Sequence, residues 1–274
     1  MKILFISNAR GPDYMADTIF HGGKSLFGVN FFETTKHWYM YESVPNKESL
    51  YGRGFTLYGK IPEKVYSGLP ASVEELIGSK FFDKIIYGSI WRCSDYFDLV
   101  SRVYKKEDIL VVDGEDHITV NNFFVEKSKY FKREYESDNS KVYPINFAIP
   151  KELVLNKVTE KSKLISDIIP NFNKNYSFYE ESLYYAEYAK SWYAHTQKKG
   201  GWDCLRHYEI MMNGCVPIFK NLEECPKNTL TKLPKKEIID FSKTIVNNIE
   251  RNQFVLDFVK NNLTTEHIVM DLIK

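Results

Sequence analysis

The chain has 274 residues, 43% of them hydrophobic, which is enough for one large or two small domains with a core in each. Lysine plus arginine (37) almost balances aspartate plus glutamate (36), so no global charge advertises nucleic acid, a membrane surface or a polyanion. The opening apolar run in MKILFISN is too short for a signal-peptide core, and no window reaches the length of a membrane-spanning helix. Cys93, Cys204, Cys215 and Cys225 form no C-x-x-C pair and read as small buried hydrophobes, so a reduced, cytoplasmic setting is expected.

Residues 2–7 (KILFIS) predict a strand, the turn material of 8–12 follows, and a helical pattern starts at Asp13 or Asp17 and ends at Gly28. VNFFETT reads as a second strand, residues 40–70 as a loop-rich insertion, and FFDKIIYGS (81–89) as the next strand. A helix over 95–106 and a strand over 108–116 continue the alternation, which predicts a parallel α/β sheet. Ligands on such sheets sit beyond the carboxyl ends of the strands, where Asn8, Gly88, Ser89 and Asp113 fall.

The charged stretch KREYESDNSK is the candidate linker. Beyond it, strands are expected over 141–150, 161–170, 192–197 and 215–219, with helices over 180–191 and 203–214. Amphipathic helices then fill the stretch from Lys235 onward. The expected organisation is an α/β fold of two small Rossmann-like domains facing across a cleft, one over 1–140 and one over 141–274 with the last helices.

The densest polar cluster lies in KKGGWDCLRHYEIMMNGCVPIF (198–219). Gly200 and Gly201 sit between a strand and a helix, where glycine lets backbone N–H groups approach a ligand closely. A helix N-terminus presents unpaired donors and partial positive charge, which suits a phosphate. Lys198, Lys199 and Arg206 add full charges, and a guanidinium grips a diphosphate through two parallel hydrogen bonds. Glu209 shares a helix face with Arg206, and a carboxylate there fits a ribose diol. Alternatively, Arg206 and Glu209 form an ordinary i, i+3 ion pair on a solvated face. His207 reads equally as a ligand contact or as a satisfied helix histidine.

The order Gly-Gly-Trp-Asp, Arg-His-Tyr-Glu, Asn-Gly-Cys-Val-Pro-Ile resembles the nucleotide-sugar-binding region of glycosyltransferases with the two-domain GT-B fold, and within these the exostosin-like members. The similarity covers about 185–230, roughly a sixth of the chain. It implies that Arg206 meets the diphosphate of a nucleotide-sugar donor and Glu209 its ribose. It implies a donor half over 141–274 and an acceptor half over 1–140. More broadly, DYMADTIFHGGKSLFG, YGSIWR, VVDGEDH, YFKRE and NNLTTEHI resemble glycosyltransferase-like proteins of bacterial and viral genomes.

Asp113, Glu115 and Asp116 in VVDGEDH follow an apolar strand and, with His21, are the candidates for the general base that deprotonates an acceptor hydroxyl. Carboxylates at this spacing also suit a divalent cation, but no metal ligand is assigned and no cofactor is expected beyond the nucleotide-sugar substrate. YFKRE (130–134) pairs two cations with an acid and offers a contact to acceptor or donor phosphate, but reads rather as a solvated charge run beside buried rings. The resemblance implies glycosyl transfer, with a glycan of surface polysaccharide expected as acceptor ahead of nucleic acid. A non-catalytic nucleotide or sugar-phosphate binder and a viral enzyme acting on modified DNA bases are the alternatives. Because the acceptor half is small, an oligomer partner could complete it.

Overall fold

The computed structural model describes residues 1–170 and 178–274. The first unit is a six-stranded sheet in the order β2-β1-β3-β4-β5-β6, with every pairing parallel. Its strands are β1 (Ile3–Ile6), β2 (Phe31–Glu33), β3 (Lys84–Tyr87), β4 (Ile109–Asp113), β5 (Lys129–Lys132) and β6 (Val142–Pro144). Alternation along each strand loads both faces. Ile3 and Phe5 of β1 and Leu110 and Val112 of β4 pack on one side, while Leu4, Ile6, Ile109 and Val111 pack on the other. The first face is covered by α1 (Tyr14–Phe27), the second by α2 (Val73–Gly78), α3 (Phe97–Val103) and α4 (Asn122–Lys127).

Asp13 starts α1 by accepting the Met15 and Ala16 N–H groups, and Gly28 stops it at φ +53°. The chain leaves β1 for β2 on one side and returns as β3 on the other, so a crevice opens beyond the carboxyl ends of β1 and β3.

The second unit has a three-stranded parallel sheet of β7 (Lys163–Ile165), β8 (Ser191–Thr196) and β9 (Val216–Phe219). It carries α5 (Glu181–Ala189), α6 (Leu205–Met212), α7 (Lys235–Lys243) and α8 (Ile249–Asn262). The polar mouth of KKGGWDCLRHYE thus lies between β8 and α6, as its glycines and charges predict. The two facing α/β units form the GT-B-like arrangement expected.

Two features depart from the sequence reading. β6 belongs to the first sheet although it lies just past residue 140, and α9 (Thr265–Ile273) crosses back to pack on α1. Gly22 permits that crossing, because a Cβ there would collide with the Thr265 carbonyl. Nor is KREYESDNSK a solvated linker as a whole: Lys132, Arg133, Glu134 and Tyr135 are buried, and only the remainder is exposed. No helix among the described residues is long and apolar enough to cross a membrane.

Candidate active site

A cleft of about 730 Å³ opens between the two units. One wall is built by the loops after β1 and β4 of the first sheet, through Asp13, Tyr14, Gly114 and Asp116, together with Arg92 from the loop after β3. The other wall is the mouth of α6, from Lys199 through Arg206 to Glu209. Aromatic rings of Tyr14, Tyr51, Phe55, Phe147 and Tyr184 make much of the remaining surface.

At the α6 mouth, the capping residue Cys204 offers no side-chain acceptor to the helix N–H groups. Arg206 projects from the first turn into the cleft, and its Nη1 is buried without a hydrogen-bond partner among the described residues. Among the described residues no carboxylate forms a direct ion pair with it, so the i, i+3 pair with Glu209 is not closed, although the Glu209 charge is near enough to act on it. A buried donor left unpaired costs about 1–3 kcal/mol, which an anion bound there would recover.

Glu209 lies on the same face, buried, and its carboxylate is held from both sides. Thr56 Oγ1 donates to Oε1, and the Tyr184 hydroxyl donates to Oε2 at 2.6 Å. Burial pushes its carboxyl above the usual range. Thr56 belongs to the first unit, and its backbone N–H also meets Glu181 of α5 at 2.6 Å. This β-branched residue is fully buried at φ +73°, in the left-handed region that such residues avoid. The unit-to-unit bonds hold it there.

A second junction spans the cleft at the glycine pair. Arg133, from the end of β5, donates through Nη1 to the Asp203 carbonyl and the Glu134 carboxylate, both at 2.7 Å, through Nε to the Gly114 carbonyl at 2.9 Å, and through Nη2 to Asp116. Glu134 in turn accepts the N–H groups of Trp202 and Asp203 at 3.0 and 2.9 Å. A Cβ at Gly201 would strike Glu134, and one at Gly200 would strike Asp116. The two glycines therefore let the opposite unit's carboxylates approach. The reading of 130–134 as a solvated charge run is corrected: Arg133 and Glu134 are 2% and 3% exposed. Asp203, also on the wall, accepts from the Phe147 N–H and the Tyr208 hydroxyl, and burial raises its carboxyl to about 6 despite Arg133 nearby.

Of the sequence-predicted residues, Lys199, Gly200, Gly201, Arg206 and Glu209 come together on the α6 wall, and Asp116 faces them. The others do not join them. Lys198 does not line the cleft; its ammonium sits 5.0 Å from the Trp202 ring. His207 is no ligand contact, because Nδ1 accepts from Thr196 Oγ1 at 2.8 Å while Nε2 donates to the Trp202 carbonyl at 2.9 Å. Its ring also packs on Phe219, and burial lowers its pKa to about 3.

His21 faces away, bonded to Thr265 Oγ1 at 2.9 Å and Glu152 at 3.0 Å, where it joins α1 to the α9 crossing. Asp113 is fully buried and accepts from Trp91 Nε1, the Tyr130 hydroxyl and Lys132 Nζ at 2.8, 2.6 and 2.8 Å, which leaves an acceptor hydroxyl no approach. Glu115 pairs with Arg92 at 3.1 Å and stands outside the cleft lining. Asp113, Glu115 and Asp116 thus each answer a different cation, and among the described residues no three His, Cys, Asp or Glu side chains converge as a metal site.

Sequence reasoning missed Asp13, Thr56, Arg92 and Asp203, and set Arg133 and Glu134 aside as solvated. The signal available for Arg133 and Glu134 was their place at the carboxyl end of a strand, the same rule that pointed to Asp113.

No protein-family model matches the chain, and no curated protein matches it by sequence. Solved structures resemble it in fold. An alpha-glucosyltransferase in complex with UDP and a 13-mer DNA containing a central A:G mismatch superposes with a TM-score of 0.50 at 10% identity, covering 98% of this chain and 97% of that one. An alpha-glucosyltransferase in complex with UDP and a 13-mer DNA containing an HMU base gives a TM-score of 0.43 at 11% identity, over 100% and 99% of the two chains. Mixed α/β architecture with parallel sheets, in the GT-B-like arrangement of two units about a cleft, is therefore the fold of this chain.

Proposed function

We propose that the protein transfers a sugar from a nucleoside-diphosphate sugar to an acceptor hydroxyl. The observation that carries this reading is the buried Nη1 of Arg206, unpartnered among the described residues, beside the uncapped mouth of α6 in a cleft between two α/β units. That combination fits a diphosphate: fixed donors are already desolvated and aimed at one place. The exostosin-like pattern supports the same role for Arg206 and gives Glu209 the ribose. Each Glu209 oxygen has accepted one donor from protein and retains a lone pair for a ribose hydroxyl.

In the reaction, the acceptor oxygen attacks the anomeric carbon and the bond from that carbon to the diphosphate breaks. The electron pair passes to the leaving phosphate oxygen, where Arg206, Lys199 and the α6 N–H groups stabilise the growing charge. Asp116, the one expected base candidate on the cleft wall, takes the acceptor's proton. Its hydrogen-bond partner is Arg133 Nη2.

A glycan acceptor and a nucleic-acid acceptor are the two forms of this reading. The fold neighbour that holds UDP with DNA favours testing uridine nucleotides first and supports the second form. Calorimetry with UDP, then the other nucleoside diphosphates, tests the donor site. One nucleotide is expected to bind, and Arg206→Ala to weaken it roughly 10- to 100-fold, the worth of a charge-assisted hydrogen bond. Absence of binding by any nucleotide to folded protein overturns the donor site. Binding with no sugar transfer to any acceptor leaves a nucleotide-binding module.

A further inference from the structure

The Asp113 cluster is costly for what it does inside the protein. A carboxylate and an ammonium, both fully buried, pair at 2.8 Å, an arrangement that a well-packed apolar pair could replace without loss of stability. Its outward bond is the informative one. Asp113 Oδ2 accepts Nε1–H of Trp91 at 2.8 Å, and Trp91 is 46% exposed. A large indole is thus left facing water yet fixed at its ring nitrogen by a buried anion that Tyr130 and Lys132 also hold. The His117 ring meets it edge-on at 5.4 Å, which fixes it further.

Trp91 stands beside the cleft. Arg92 and Asp116, its chain neighbour and the neighbour of His117, both line the opening, and the loop that carries Trp91 follows β3 at the crevice where the sheet order reverses. Ile118, the residue after His117, is also exposed. The charges around it are tied up in pairs: Lys132 holds Asp113, and Arg133 holds Asp116. Arg92 in turn is shared by Asp13 at 3.2 Å and Glu115 at 3.1 Å.

We propose that Trp91 is the acceptor platform of this enzyme and that it receives an uncharged sugar ring, an inference that rests on the transferase reading above. The C–H face of a pyranose packs on the electron-rich face of an indole, and a rigid ring makes that contact at little entropic cost. A polyanionic acceptor would need clustered, uncommitted cations along its path, whereas Arg92, Lys132 and Arg133 beside Trp91 are each already paired with a carboxylate. A sugar stacked on Trp91 lies next to Asp116, the group assigned to its proton.

The test follows the indole Nε1–H resonance of Trp91 by NMR while the wild-type protein, saturated with the nucleotide that calorimetry identifies, is titrated with a panel of neutral oligosaccharides and separately with short duplex and single-stranded DNA. A neutral glycan is expected to shift that resonance and DNA to leave it in place. Glycan capture is expected to fall tenfold or more in Trp91→Ala and to be largely retained in Trp91→Phe, which keeps a ring face. Because the nucleotide titration is read separately, failure of the donor site and failure of the platform are distinguishable. A shift caused by DNA that weakens steeply with salt, no shift with any neutral glycan, or full glycan capture by Trp91→Ala would each overturn the proposal.

Discussion

His207 follows Arg206 in α6 but turns inward, and its two ring nitrogens are fully used by Thr196 and Trp202. Burial holds it neutral with a pKa of about 3, against roughly 6.5 when unfolded. Between those values the unfolded chain binds the extra proton, so stability falls as pH drops below 6.5. The contribution from pH 7 to pH 5 is about 2 kcal/mol. Asp203 works in the opposite sense: its native carboxyl, raised to about 6, takes up a proton first and stabilises the fold as pH falls through that value. Urea titrations at pH 7 and pH 5 separate the two. His207→Gln is expected to be less stable than wild type at pH 7 and to close most of that gap at pH 5; a gap unchanged between the two pH values would mean that His207 is not the buried neutral group. Arg206 and Glu209 were legible in the sequence because spacing on one helix fixes their common face. The state of His207 was not, because it depends on Thr196 from the neighbouring strand and on a carbonyl in the preceding loop.

At the scale of elements, the strand and helix pattern could be read because each apolar run carries its own periodicity. β1, α1, β4 and α6 fall inside the segments that periodicity assigns to them. What periodicity does not carry is which element packs on which. The docking of α9 on α1 joins segments far apart in sequence, as the His21 to Thr265 bond shows with a separation of 244. Gly22 marks the contact. Gly22→Ala would place a methyl against the Thr265 backbone, which cannot swing aside as a side chain could. The expected result is a loss of about 1–3 kcal/mol in thermal or denaturant unfolding, the usual cost of overpacking, although alanine is the better helix former. A stability equal to wild type would mean that α9 is not seated on α1 as described.

At the scale of the whole molecule, two sets of polar bonds draw the units together across the cleft, one through Thr56, Glu181 and Glu209 and the other through Arg133, Glu134 and the backbone before α6. Neither set was legible, since each residue's partner lies on the opposite unit and a charged residue without its partner reads as solvated. Thr56 tests the first set. Thr56→Val keeps the shape but removes the hydroxyl that Glu209 accepts from, leaving a buried carboxylate short of a donor, with an expected cost of about 1–3 kcal/mol. Thr56→Ser keeps the hydroxyl and is expected to stay close to wild type. If the bond also holds the units closed, small-angle scattering will show a larger radius of gyration for Thr56→Val than for Thr56→Ser; equal radii would confine the bond's role to stability.

The return of α9 also bears on how the chain is made. A ribosome releases the first sheet and α1 long before it releases Thr265 to Ile273, so the apolar face of α1 that receives Ile268, Val269 and Leu272 stays uncovered while the whole second unit is synthesised. The unit translated first is therefore the last to be completed.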